Sequence, residues 1–154
     1  MSTKIFLQQY NTGLMNFRNL NLTAADLSHL NLRGADLTSV NLTRANLTKT
    51  DLSHANLTNA ILIGANLTKT DLSHANLTNA TLIGANLTET TLTKANLMNA
   101  NLRNTSLNNV NLSHTYLRGT LISHGASSGA VMNHLKALPN EASFKLLHDT
   151  TLLK

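Results

Sequence analysis

The chain has 154 residues and a formal net charge of +5; 42 % of its residues are hydrophobic, but only 3 % are aromatic and 12 % charged. With no cysteine, no tryptophan and one proline, it excludes a disulfide scaffold, a thiolate metal site, a cysteine nucleophile and a proline-rich or collagen-like chain. Its apolar residues are interrupted too regularly for a membrane span, and leucine is too frequent for a disordered chain.

Residues 1–14 read as an N-terminal cap. The stretch TKIFLQQYN places Ile5, Phe6, Leu7 and Tyr10 ahead of Gly13, which predicts a short helix or an apolar plug. Its apolar run is too short for a secretory signal peptide.

Residues 15–124 are a repeat. From Phe17 to Ile122 an apolar residue recurs at every fifth position, 22 times without a break. Two residues before it stands something small, such as Ala45, Ala55, Ala65 or Thr70; Asn or Asp lies between the two, and Ser or Thr usually follows. A five-residue step rotates a side chain by about 140° in an α-helix and flips it to the other face in a strand. A common core is recovered only if the chain turns a corner once per pentad. Residues 45–64 and 65–84 agree at 19 of 20 positions, so four pentads make the larger unit and the predicted coil has four sides. Residues i and i+20 then stack about 4.8 Å apart, as in parallel strands. The 110 residues give about 5.5 coils and a rod of roughly 26 Å. The inward core includes Leu52, Leu57, Leu62, Leu67, Leu72, Leu77 and Leu82.

Residues 125–154 break the pattern. GASSGA at 125–130 reads as a linker, and two helical pieces are expected near 131–138 and 140–153 around Pro139, with Asn140 as N-cap. They cap the rod or form a dimerisation segment.

The A-(D/N)-L-x-x pattern of residues 15–124 resembles the pentapeptide-repeat family. The resemblance implies an all-β solenoid, the right-handed quadrilateral β-helix, with the leucine and the small residue facing inward. It also implies a mainly bacterial protein, and a homodimer through the C-terminal end as one role for the tail.

No catalytic triad order, phosphate loop or dinucleotide fingerprint occurs, and uniform pentads leave no inserted loop to carry catalytic residues. No enzyme activity and no cofactor are expected. The 20-residue register stacks His54 on His74 with Asp51 and Asp71 nearby; this reads as a by-product of the duplicated unit, so no metal site is expected on so flat a face. The informative departures are Ile61, Ile63 and Ile83, which occupy outward slots normally held by Asn, Asp, Ser or Thr. The register gathers them on one face with Arg44 and Arg103 flanking them, as a partner-binding or tail-docking patch.

Charge separates the functional readings. Some members of the family resemble B-form DNA in size and negative charge and bind DNA gyrase, but this rod is basic, the wrong sign for such mimicry. Dispersed charges and few aromatics also argue against nucleic acid as a partner. The expected function is a rigid protein–protein interaction scaffold in the cytoplasm with an unidentified protein partner. The alternatives are a gyrase or topoisomerase modulator and a secreted bacterial effector.

Overall fold

The computed structural model describes residues 2–123 and 145–147. Helix α1 (Ser2–Asn11) is followed by a run of parallel β-bridges and three short strands, β1 (Asn101–Leu102), β2 (Leu121–Ser123) and β3 (Lys145–Leu147).

Each bridge joins residue i to residue i+20, from Asn16↔Asp36 through Asp51↔Asp71 to Asn96↔Tyr116, and β1 pairs with β2 in the same register. One coil therefore takes four pentads. Within a pentad the chain makes a short extended step and then a turn closed by a backbone bond, such as Ala25 N–H to the Leu22 carbonyl at 3.0 Å. The third residue of that turn has positive φ, as a type II turn requires. Seventeen of these corners are not glycine, among them Ala24 (φ 55°), Lys49 (57°), His54 (60°) and Asn59 (59°).

The outward Asn or Asp has a local task. Its carboxamide or carboxylate oxygen accepts the N–H of the residue two positions on, as in Asn46 Oδ1 with Thr48 N–H (3.2 Å) and Thr48 Oγ1 (2.7 Å). This Asx turn holds the extended step that feeds the corner. Between coils the backbone pairs in both directions: Leu47 N–H donates to the Asn66 carbonyl at 2.8 Å, and Asn66 N–H to the Ala45 carbonyl at 2.9 Å.

The core is a single column. Leu52, Leu57, Leu62, Leu67, Leu72, Leu77 and Leu82 are fully buried, as are the small residues Ala55, Ala60, Ala65, Ala75 and Ala80. Where threonine replaces alanine it brings its own partner: Thr50, Thr70 and Thr90 donate to the carbonyls of Leu27, Leu47 and Leu67.

At the N-terminal end, Phe6 of α1 is buried against Phe17, the first residue of the leucine column, with ring centroids 4.6 Å apart. The helix stops at Gly13 (φ 76°), whose N–H donates to the Tyr10 carbonyl while Leu14 N–H reaches the Gln9 carbonyl. That pair of bonds is a Schellman cap, and glycine supplies its left-handed residue without a Cβ penalty.

The C-terminal end corrects one expectation. Residues 145–147, inside the stretch 140–153 expected to be helical, form β3, which pairs parallel with β2 as Leu121↔Lys145, Ile122↔Leu146 and Ser123↔Leu147. The last coil offers unpaired backbone groups along its open edge, and satisfying them outweighs a local helical pattern of apolar residues. The expected helix near 131–138, the linker at 125–130 and the rest of 140–153 lie outside the described residues.

Candidate interaction face

The coil has four flat sides, and one of them departs from the pattern. On it Asn41, Ile61, Thr81 and Asn101 stack in one file, and Arg44, Gly64 and Gly84 stand at its corner. Three backbone bonds tie the neighbouring coils along this edge: Arg44 N–H to Ile63 O (2.9 Å), Gly64 N–H to Ile83 O (2.9 Å) and Gly84 N–H to Arg103 O (3.0 Å). Arg44, Ile63, Ile83 and Arg103 thus follow one another along the rod on a rigid backbone.

Ile61 and Ile63 are 38 % and 40 % exposed, although each could have been a polar residue at no loss to the core. Ile83 is half-buried between them and Arg103, and both arginines are exposed. Arg103 Nε donates to Asn101 Oδ1 at 3.3 Å, which lays its guanidinium back on the face. The Cγ of Arg44 lies 3.7 Å from where a side chain at Gly64 would begin, so its aliphatic stem covers that glycine.

The isoleucines also give up a bond. Asn46, Asn56 and Asn66 in the same region each close their pentad through Oδ1; Ile61 has no oxygen to offer the Ile63 N–H. Local stability would favour Asn here, so the apolar residue needs another reason.

Charge is distributed unevenly around the rod. Residues 55–64, 75–84 and 95–102 include no Lys, Arg, Asp, Glu or His, whereas Lys49, Asp51, Lys69, Asp71, Glu89 and Lys94 fall on the intervening stretches, and Arg44 and Arg103 end the neutral run on either side. With a 20-residue coil, two adjacent sides and their shared corner are charge-free over three coils. The corner carries Asn59, Asn79 and Asn99, with Asn79 Nδ2 donating to Asn59 Oδ1 at 3.2 Å. Reading the sequence for departures found the isoleucines but not this neutral half, which shows only when the chain is wrapped four pentads to a coil.

Among the described residues no three His, Cys, Asp or Glu side chains are gathered so as to hold a metal ion, and no helix is long and apolar enough to cross a membrane.

Comparison with known proteins places this geometry. The family model for pentapeptide repeats matches residues 16–53, 50–88 and 85–123. Comparison with curated protein sequences gives no match. Among solved structures, a pentapeptide repeat protein (Rfr23) from the cyanobacterium Cyanothece 51142 is 34 % identical, with a TM-score of 0.76 over 81 % of this chain and 97 % of that one. HetL, a pentapeptide repeat protein involved in heterocyst differentiation regulation from Nostoc sp. strain PCC 7120, is 33 % identical over 79 % of this chain and 61 % of its own, with a TM-score of 0.41. A pentapeptide repeat protein of the Arabidopsis thaliana thylakoid lumen is 26 % identical, with a TM-score of 0.48 over 80 % and 77 %. Stacked coils of four pentads, a leucine column within them, the family-model match and the likeness to Rfr23 make the chain a member of the pentapeptide-repeat family, whose fold is the right-handed quadrilateral β-helix.

Proposed function

We propose that this protein is a non-enzymatic scaffold that binds a protein partner through the charge-free half of its rod, centred on Ile61, Ile63 and Ile83. The observation that supports this most is the exposure of Ile61 and Ile63 at slots where the rest of the coil uses a bond-forming Asn and a Thr. The centres of protein interfaces are depleted of charge, and a partner that covers the isoleucines gains their burial at about 25 cal/mol per Å². Arg44 and Arg103 at either end suit the rim, where they fix orientation more than affinity. A backbone paired to its neighbours at every coil is already ordered, so little entropy is lost on that side when the partner binds.

The test restores the repeat. Ile61→Asn with Ile63→Thr gives the pentad the sequence of its neighbours. Immobilised wild-type protein is expected to retain a partner from its native lysate that the double variant does not. Retention of the same proteins by both would contradict the reading.

A further inference from the structure

His54 and His74 stand one coil apart at the same corner of the rod, with ring centroids 4.7 Å apart and planes within 4° of parallel. Both are exposed, and neither imidazole makes a side-chain hydrogen bond among the described residues. Their backbones are fixed alike. Each has a left-handed φ (60° and 58°), and their N–H groups donate to the carbonyls of Ser73 and Thr93 at 2.9 and 3.0 Å. We infer that His54 and His74 form a two-imidazole chelating site for a divalent d-block cation, linking one coil to the next from outside.

The geometry suits chelation. Metal–nitrogen bonds of about 2.0–2.1 Å at right or tetrahedral angles put the two nitrogens about 3 Å apart. In parallel rings 4.7 Å apart the nitrogen lone pairs do not yet converge, so each exposed ring turns by about 45–55° about its side-chain torsions to reach the shared ion while the backbone keeps the spacing. The backbone holds the two ligands at this spacing before the metal arrives, so the second imidazole binds as an intramolecular step at high effective concentration. Water fills the remaining positions, because among the described residues no third protein ligand is gathered there.

The surroundings allow it. Below His54 the same corner is Gly34, where a Cβ would meet nothing within 4 Å, leaving room for a hydrated ion. Above His74 stands Lys94, the one positive group in the file next to the pair, on a long stem that can swing away. Asp51 and Asp71 lie on the adjoining side with one carboxylate oxygen each engaged by Ser53 and Ser73 N–H, and their negative charge offsets the lysine. With nitrogen ligands only, Cu²⁺ is favoured over Ni²⁺ and Zn²⁺.

Zn²⁺ is a suitable probe because it leaves the NMR spectrum readable. Titrated into the full chain, it is expected to shift the ring resonances of His54 and His74 together and to saturate at one ion per chain. His29 and His114, which have no histidine directly above or below them among the described residues, serve as internal references and respond only at higher concentration. His54→Asn and His74→Asn should each lower the affinity at this corner at least about tenfold, by removing the chelate. Both variants should fold, since Asn59, Asn79 and Asn99 already occupy equivalent corners at φ 57–59°. Zn²⁺ is also expected to raise the melting temperature of the wild type but not of either variant. Responses of His54 and His74 no stronger than that of His114, or undiminished affinity in the single variants, would overturn the assignment.

Discussion

The hydroxyl of Thr70 donates to the carbonyl of Leu47 at 2.6 Å, across 23 residues of sequence and inside the leucine column. The same carbonyl also accepts the Thr50 N–H at 3.1 Å. Removing the hydroxyl therefore weakens a bifurcated acceptor but does not orphan it. Thr70→Val, nearly equal in volume, is expected to destabilise by about 1 kcal/mol, below the 1–3 kcal/mol of a buried group left wholly unpaired. Chemical denaturation of the variant measures it.

Leu72 is fully buried in a middle coil, with neighbours above and below held by backbone pairing that cannot collapse into a gap. Leu72→Ala is expected to destabilise by about 2–5 kcal/mol. A loss under about 1 kcal/mol in denaturant titration would contradict its inward placement.

The corners predict a pair of opposite signs. Ala24 sits at φ 55° with an exposed side chain, where a Cβ is a handicap; Ala24→Gly is expected to stabilise by about 0.5–1 kcal/mol. Gly64 sits at φ 63°, where an added Cβ would meet Arg44 Cγ at an ordinary 3.7 Å. Gly64→Ala is expected to destabilise by a similar amount, from backbone strain and not from a clash. Equal signs in thermal unfolding would refute this account of the corners.

Acid should weaken the rod through Asp26 and Asp36. For Asp36, partial burial pushes the carboxyl upward, but the Thr38 hydroxyl and N–H and the Arg18 guanidinium at 3.1 Å outweigh it and hold it below the ordinary range. Asp26 is held down by the hydroxyl and N–H of Ser28, against burial, with help from the Asn46 amide. Both carboxylates are easier to protonate in the unfolded chain. Their contribution is thus complete above the unfolded value of about 4 and is lost as pH falls through the lower folded values. Asp26→Asn with Asp36→Asn, which keeps the oxygen that closes each pentad, is expected to flatten the fall in melting temperature below about pH 4.

Much of this architecture is legible in the one-letter string, for a physical reason. A five-residue period fits no helix or strand, and the near-identity of residues 45–64 and 65–84 states how many pentads close a coil. The register that places Ile61, Ile63 and Ile83 on one side follows from that count. What is not legible depends on geometry that the period does not encode. The left-handed corners carry Ala24, Lys49 and His54 as well as glycine, so composition does not mark them. The strand Lys145–Leu147 carries a helical pattern of apolar residues and pairs instead with the open edge at Leu121–Ser123. The register brings His54 and His74 together, but only the structure shows their rings parallel.

On the proposed function, Ile61 and Ile63 serve a surface and not the fold. Thermal and denaturant unfolding of the Ile61→Asn, Ile63→Thr variant tests it most directly. The account predicts equal or greater stability, up to about 1 kcal/mol from the regained turn bonds, together with loss of the partner. A loss of about 2 kcal/mol or more, the size expected for removing buried apolar side chains, would show that the isoleucines are covered by the protein's own chain and would contradict it.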